Sequence, residues 1–180
     1  KTKLSAGQLL GKKALAYMQY YKDAPVDTMY NMLAKSVEME KGMSEYAVTE
    51  RFMKYSALKY KQDKSHSEQI IDDYLNASIY IVEVLDKYHD NIERSEKKYQ
   101  EEGNPRDSLN AIAYGKMIDA SRISKSNIDA YFINSGAASC EDLSKIYAPT
   151  LEANKENIEY LNKVLSVMSM LKCTNEDTYL

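Results

Sequence analysis

Ile70, Tyr74, Ala77, Ile81, Val84 and Tyr88 recur at steps of three or four residues, so a helix through this stretch places all six on one face. Similar stripes precede it. Leu10, Ala14, Tyr17 and Tyr21 mark a helix between Lys3 and Lys22, and Asp23-Ala24-Pro25 interrupts it. Proline is tolerated in a first helical turn, so a second helix starts there and runs through Val26, Tyr30, Leu33 and Val37 to Gly42. A third begins at Ser44, where Glu45 and Glu50 suit the positive end of the helix dipole, and carries Phe52, Tyr55, Leu58 and Tyr60 to about Asp63. With only 6 Gly and 3 Pro in 180 residues, the chain lacks the turns of a β-sandwich or a nucleotide-binding α/β fold. It is predicted to be all-α.

Further along, Lys61–Ser67 is polar and reads as a loop, and residues 89–108 form a charged, solvated helical extension that breaks at Gly103-Asn104-Pro105. Leu109, Ile112, Met117 and Ile118 resume the helical pattern, which weakens across Ser121–Ser126 and returns at Ile128, Tyr131 and Phe132. This is one long or interrupted helix, ended by Asn134-Ser135-Gly136. A last hairpin pairs Leu143, Ile146, Tyr147 and Leu151 with Ile158, Leu161, Leu165, Met168 and Leu171; Pro149 is expected to kink its first helix. The whole reads as a single domain over 1–180, with two helix pairs in 1–88, the extension and break in 89–108, and the C-terminal helices in 109–180. Thr174-Asn175-Glu176-Asp177 looks like the cap of another helix, so the array is expected to continue past Leu180.

Tyrosine outnumbers the other aromatics, with Tyr 16, Phe 2 and Trp 0, and tyrosine suits half-buried contacts that keep the hydroxyl wet. A thin, elongated core fits that usage better than a sphere. Within it, one pattern occurs twice: Ala14, Tyr17, Val26, Tyr30, Leu33, and Ala57, Tyr60, Ile70, Tyr74, Ala77. It resembles the tetratricopeptide repeat, a helix-turn-helix unit of about 34 residues in which small residues let paired helices approach. In the second copy the step from Ala57 to Ile70 is one residue longer than the family pattern, and both copies lack its closing proline.

The C-terminal third is more specific. Tyr131-Phe132-Ile133-Asn134-Ser135-Gly136-Ala137-Ala138-Ser139-Cys140, then Ile146-Tyr147-Ala148-Pro149 and Lys172-Cys173-Thr174, resembles the uncharacterised secreted tetratricopeptide-repeat (TPR) proteins of Bacteroidetes. The resemblance implies antiparallel helix hairpins stacked as a short right-handed superhelical solenoid of roughly six or seven helices. It also implies export to the periplasm or outer membrane, and binding of a protein or peptide partner rather than catalysis. The chain begins at Lys1 with no initiator Met, and an upstream segment is expected to have been removed.

Composition bears on partners as well. A net charge of −3 offers nucleic acid no attractive field, and no apolar run is long enough for membrane insertion. No phosphate-binding loop, HExxH or GxSxG pattern is present, so neither a cofactor nor a catalytic residue is expected. Asp63 and His66, and Asp86 and His89, share the i, i+3 spacing of helical metal ligands, but surface charge explains them better and no metal is expected. Asn76-Ala77-Ser78 matches a glycosylation sequon yet falls within a helix. The nine Met residues are read as packing, with Met29, Met32 and Met168 at core spacing.

If the first helix of each pair lines a concave groove, Arg51, Lys54, Lys61 and Gln62 lie on that wall, where three cations suit a peptide carboxylate or another acidic group. The alternative is a helical enzyme, or a small-ligand or glycan-binding domain, with carboxylates in an interhelical pocket. Cys140 opens the penultimate helix and Cys173 follows the last, so an antiparallel hairpin brings them together. They are expected to form a disulfide in an oxidising compartment.

Overall fold

A computed structural model describes residues 3–40, 46–137, 152, 155–158, 161 and 162. Cys140, Cys173, Pro149 and nearly all of the expected C-terminal hairpin lie outside the described residues. The described chain is all-helical: α1 (Ala6–Tyr20), α2 (Val26–Glu40), α3 (Tyr46–Gln62), a 3-10 turn (Lys64–His66), α4 (Ser67–Glu102) and α5 (Pro105–Ser135).

The boundaries follow from local chemistry. Ser5 caps α1 reciprocally with Gln8: the Ser5 hydroxyl accepts from the Gln8 amide at 3.0 Å, and the Gln8 side chain accepts from the Ser5 N–H at 3.0 Å. The loop expected over Lys61–Ser67 is much shorter than its polarity implied. Lys61 and Gln62 still belong to α3, and the Asp63 carboxylate caps the 3-10 turn by accepting from the Ser65 N–H. The charged stretch after His89 is helical without a break, so α4 runs 36 residues. It ends at Gly103, whose φ of 66° is the left-handed conformation that glycine adopts without strain. Asn104 then caps α5, and Pro105 sits in its first turn, where no backbone N–H is needed. Ser121–Ser126 does not interrupt α5. The Ser121 hydroxyl donates back to the Met117 carbonyl, and Ser121 and Ser124 are buried small residues where helices meet.

Each helix packs on its sequence neighbour, and α5 also packs on α3. The start of α1 meets the end of α2, where the Ser36 hydroxyl donates to the Gly7 carbonyl at 2.7 Å, so these two run antiparallel. Tyr74 against Phe132, and Tyr88 against Tyr114, set α4 and α5 antiparallel too. One core joins all five helices through Ala14, Met29, Leu33, Phe52, Met53, Ile70, Tyr74, Ile81, Ile128 and Phe132. Both copies of the sequence pattern feed it. Ala14, Tyr30, Leu33, Ala57, Ile70, Tyr74 and Ala77 are buried, and Tyr17 and Tyr60 pack against its edge.

Candidate functional site

Three clusters of polar side chains are the candidates. The first lies between α1 and α3, where Leu15, Met18, Gln19 and Lys22 face Arg51, Lys54 and Tyr55 across a cleft of about 510 Å³. On α1 these residues recur at three- and four-residue steps, and on α3 residues 51, 54 and 55 share one face, so each wall is one helical stripe. Among the described residues, the charged side chains of the lining are the cations Lys22, Arg51 and Lys54. Arg51 and Lys54 are half-buried, their stems packed along the cleft. Lys61 and Gln62 stand fully exposed in the last turn of α3, farther along the same side of the helix and outside the cleft lining. Lys22, in the turn after α1, is a third cation that the sequence pattern did not single out. It lies past the last apolar position of its stripe.

Glu50, read from sequence as a dipole-matching residue, instead ties α3 to α5. Its carboxylate accepts from Ser124 Oγ at 2.8 Å and from Asn127 Nδ2 at 3.1 Å. Both bonds reach α5, and Glu50 is not among the described lining of the cleft.

The second cluster is buried. The Asp73 carboxylate on α4 accepts from Tyr30 Oη at 2.7 Å, Ser56 Oγ at 2.6 Å and Gln69 Nε2 at 2.9 Å. His66 Nε2 lies 3.2 Å from Ser56 Oγ and 3.5 Å from Asp73. The Ser56 proton goes to Asp73, so the contact with His66 requires Nε2 to carry the hydrogen. Ser, His and Asp are therefore together, but not in a relay. A nucleophilic serine needs the imidazole between it and the acid, with one ring nitrogen toward each. Ser56 is also fully buried, beyond reach of a substrate. Burial, then the charge of Asp73, pushes the Tyr30 hydroxyl well above the usual phenol range. The cluster locks α2, α3 and α4 together.

This corrects the surface reading of His66, which is 8% exposed. Its neighbour in the i, i+3 spacing, Asp63, is occupied with Ser65, and the carboxylate that faces His66 is Asp73. Asp73 itself left a signal: it follows Ile70 by three residues, so it is an acid on an apolar helix face.

The third cluster lies between α4 and α5, where Val82, Leu85, Asp86 and His89 face Arg122, Lys125, Ser126 and Asp129 across about 440 Å³. Lys125 is almost wholly buried. It bonds the Asp129 carboxylate, which also accepts from Tyr74 Oη at 2.8 Å, and it lies 5.7 Å from the centre of the Tyr74 ring. Burial pulls the Lys125 ammonium below the usual lysine range, and Asp129 partly restores it. Asp86 and His89 are exposed on the cleft rim with no polar partner among the described residues.

Among the described residues, no three His, Cys, Asp or Glu side chains gather as metal ligands, and no helix is long and apolar enough to cross a membrane. Asn76 is exposed in the middle of α4. Comparison with protein-family models, with curated proteins and with solved structures returns no match.

Proposed function

We infer that the chain is a non-catalytic scaffold that binds an acidic protein or peptide segment in the cleft between α1 and α3. In this reading α1–α2 and α3–α4 are two tetratricopeptide-type pairs, α5 opens a third, and their stacking makes a right-handed solenoid whose inner wall carries α1, α3 and α5. The equivalent burial of Ala14 and Ala57, and of Tyr30 and Tyr74, supports that repeat. The observation that carries the function is a cleft whose charged lining, among the described residues, is Lys22, Arg51 and Lys54, on a protein of net charge −3. An acidic ligand gains there from the charge of three cations.

A small-ligand or glycan site, or an enzyme with an interhelical carboxylate pocket, has the α4–α5 cleft in its favour. Asp129 is already committed to Tyr74 and Lys125, however, which leaves Asp86 as the one uncommitted acid among the described residues of that lining. A single carboxylate is half of an acid–base pair.

Arg51→Glu with Lys54→Glu tests the proposal. Anisotropy of a labelled peptide rich in Asp and Glu should report affinity at least about tenfold weaker, and binding by the parent chain should weaken as salt rises. The thermal midpoint should stay nearly unchanged, because half-exposed charges contribute little to folding. Unchanged affinity would remove the cleft from the account.

Location in the bacterial envelope rests on the resemblance of the C-terminal third to secreted repeat proteins. Alkylation of native protein without reductant, followed by intact-mass analysis, tests it: a bridged Cys140 and Cys173 take up no label, and two labelled cysteines would count against an oxidising compartment.

A further inference from the structure

At the end of α1 a second, smaller cleft of about 300 Å³ is lined by Tyr17, Tyr20, Tyr21, Lys22, Asp23, Ala24 and Pro25. Its walls are mainly rings. Tyr17 and Tyr21 stack with centroids 4.5 Å apart and planes 28° from parallel, so each ring covers one face of the other and the stack stands as one aromatic block. Tyr20 is 78% and Tyr21 59% exposed, while Tyr30 and Tyr74 are buried in the core, so Tyr20 and Tyr21 are open to solvent. Pro25, at the entry to α2, adds a flat pyrrolidine face.

This ring cleft and the cationic cleft share Lys22. A ligand leaving one therefore passes that ammonium to enter the other, and the two are adjoining parts of one surface around the C-terminal end of α1. A flat apolar ring packs against the open tyrosine rings, whereas a carboxylate suits the three cations beyond them.

We propose that the partner is an acidic peptide anchored by a proline or aromatic residue on Tyr17, Tyr20, Tyr21 and Pro25. Its neighbouring carboxylates meet Lys22 first and then Lys54 and Arg51. The proposal rests on the groove reading above and adds the anchor and its order along the peptide. Because Lys22 lines both clefts, the anchor and the first acid are expected close together in the peptide, within about three residues at about 3.3 Å of extended chain each.

Selection of a phage-displayed library of random dodecapeptides on the purified chain tests this. The expected result is enrichment of sequences in which Pro, Tyr, Phe or Trp lies within about three residues of two or more Asp or Glu. A fluorescein-labelled synthetic copy of the winner should bind about tenfold more weakly to the Tyr20→Ser, Tyr21→Ser double variant, and also to the Arg51→Glu, Lys54→Glu variant. Circular dichroism should show both variants folded. Acidic winners without a ring residue, or winners indifferent to the tyrosine changes, would overturn the anchor and leave the groove standing. No enrichment, or winners indifferent to the charge reversal, would overturn both.

Discussion

Tyr74 on α4 donates its hydroxyl to Asp129 on α5 at 2.8 Å while its ring stacks on Phe132 with centroids 4.2 Å apart. Tyr30 does the same one helix pair earlier, donating to Asp73 at 2.7 Å and stacking on Phe52 at 5.9 Å. These tyrosines occupy the same position in the two copies of the sequence pattern. Each fastens the second helix of its pair to later helices through one ring contact and one carboxylate.

Tyr30→Phe and Tyr74→Phe keep the rings and remove only the hydroxyl bonds. Each change should lower unfolding free energy by about 1.5–3 kcal/mol, the range for hydrogen bonds to charged groups. Their hydroxyls donate to different carboxylates, Asp73 and Asp129, so the double variant should lose close to the sum. Urea titration of the four proteins measures both quantities, and a loss below about 0.5 kcal/mol in either single variant would contradict the assignment.

Two helical glycines should respond in opposite directions to alanine. A Cβ on Gly11 would meet Ser36 Oγ at 2.7 Å and a Val48 methyl at 3.0 Å, and Ser36 is held by its bond to the Gly7 carbonyl. Gly11→Ala should therefore destabilise by about 1–3 kcal/mol despite its better helix propensity. A Cβ on Gly115 in α5 meets nothing within 4 Å, so Gly115→Ala should stabilise by about 1 kcal/mol. Thermal denaturation of the two variants checks the signs.

Burial holds the His66 imidazole below the usual histidine range, although Asp73 pulls it back toward ordinary values. As pH falls through about 6.5 the unfolded chain takes up this proton first, so the unfolded state is favoured. Stability present above that pH is lost toward the lower folded value, with a slope of at most about 1.4 kcal/mol per pH unit from this group. His66→Gln should flatten that part of the profile. Midpoints in guanidinium at pH near 7.5 and near 5.5, compared between the two proteins, measure the change; equal slopes would contradict it.

The helices were legible because their apolar positions repeat: Ile70 through Tyr88 and Val26 through Val37 needed no tertiary information. The long course of α4 past His89 was legible as well, since charge without a breaker continues a solvated helix until Gly103. What polarity concealed was burial. His66, within the polar stretch Lys61–Ser67, read as surface because the carboxylate that draws it inward, Asp73, comes from the next helix. The burial of Lys125 likewise depends on α4, which supplies the Tyr74 ring beside it. Of the candidate groove, Arg51 and Lys54 were found from spacing on α3. Lys22 was not, because only the packing of α1 beside α3 brings it to the cleft.

The measurement closest to the central claim is a nitrogen-15 NMR titration of the chain with a synthetic peptide rich in Asp and Glu. Saturable shifts of the backbone amides of Leu15–Lys22 and Arg51–Tyr55 are the predicted result. Shifts centred instead on Val82–His89 and Arg122–Asp129 would move binding to the α4–α5 cleft and contradict the account.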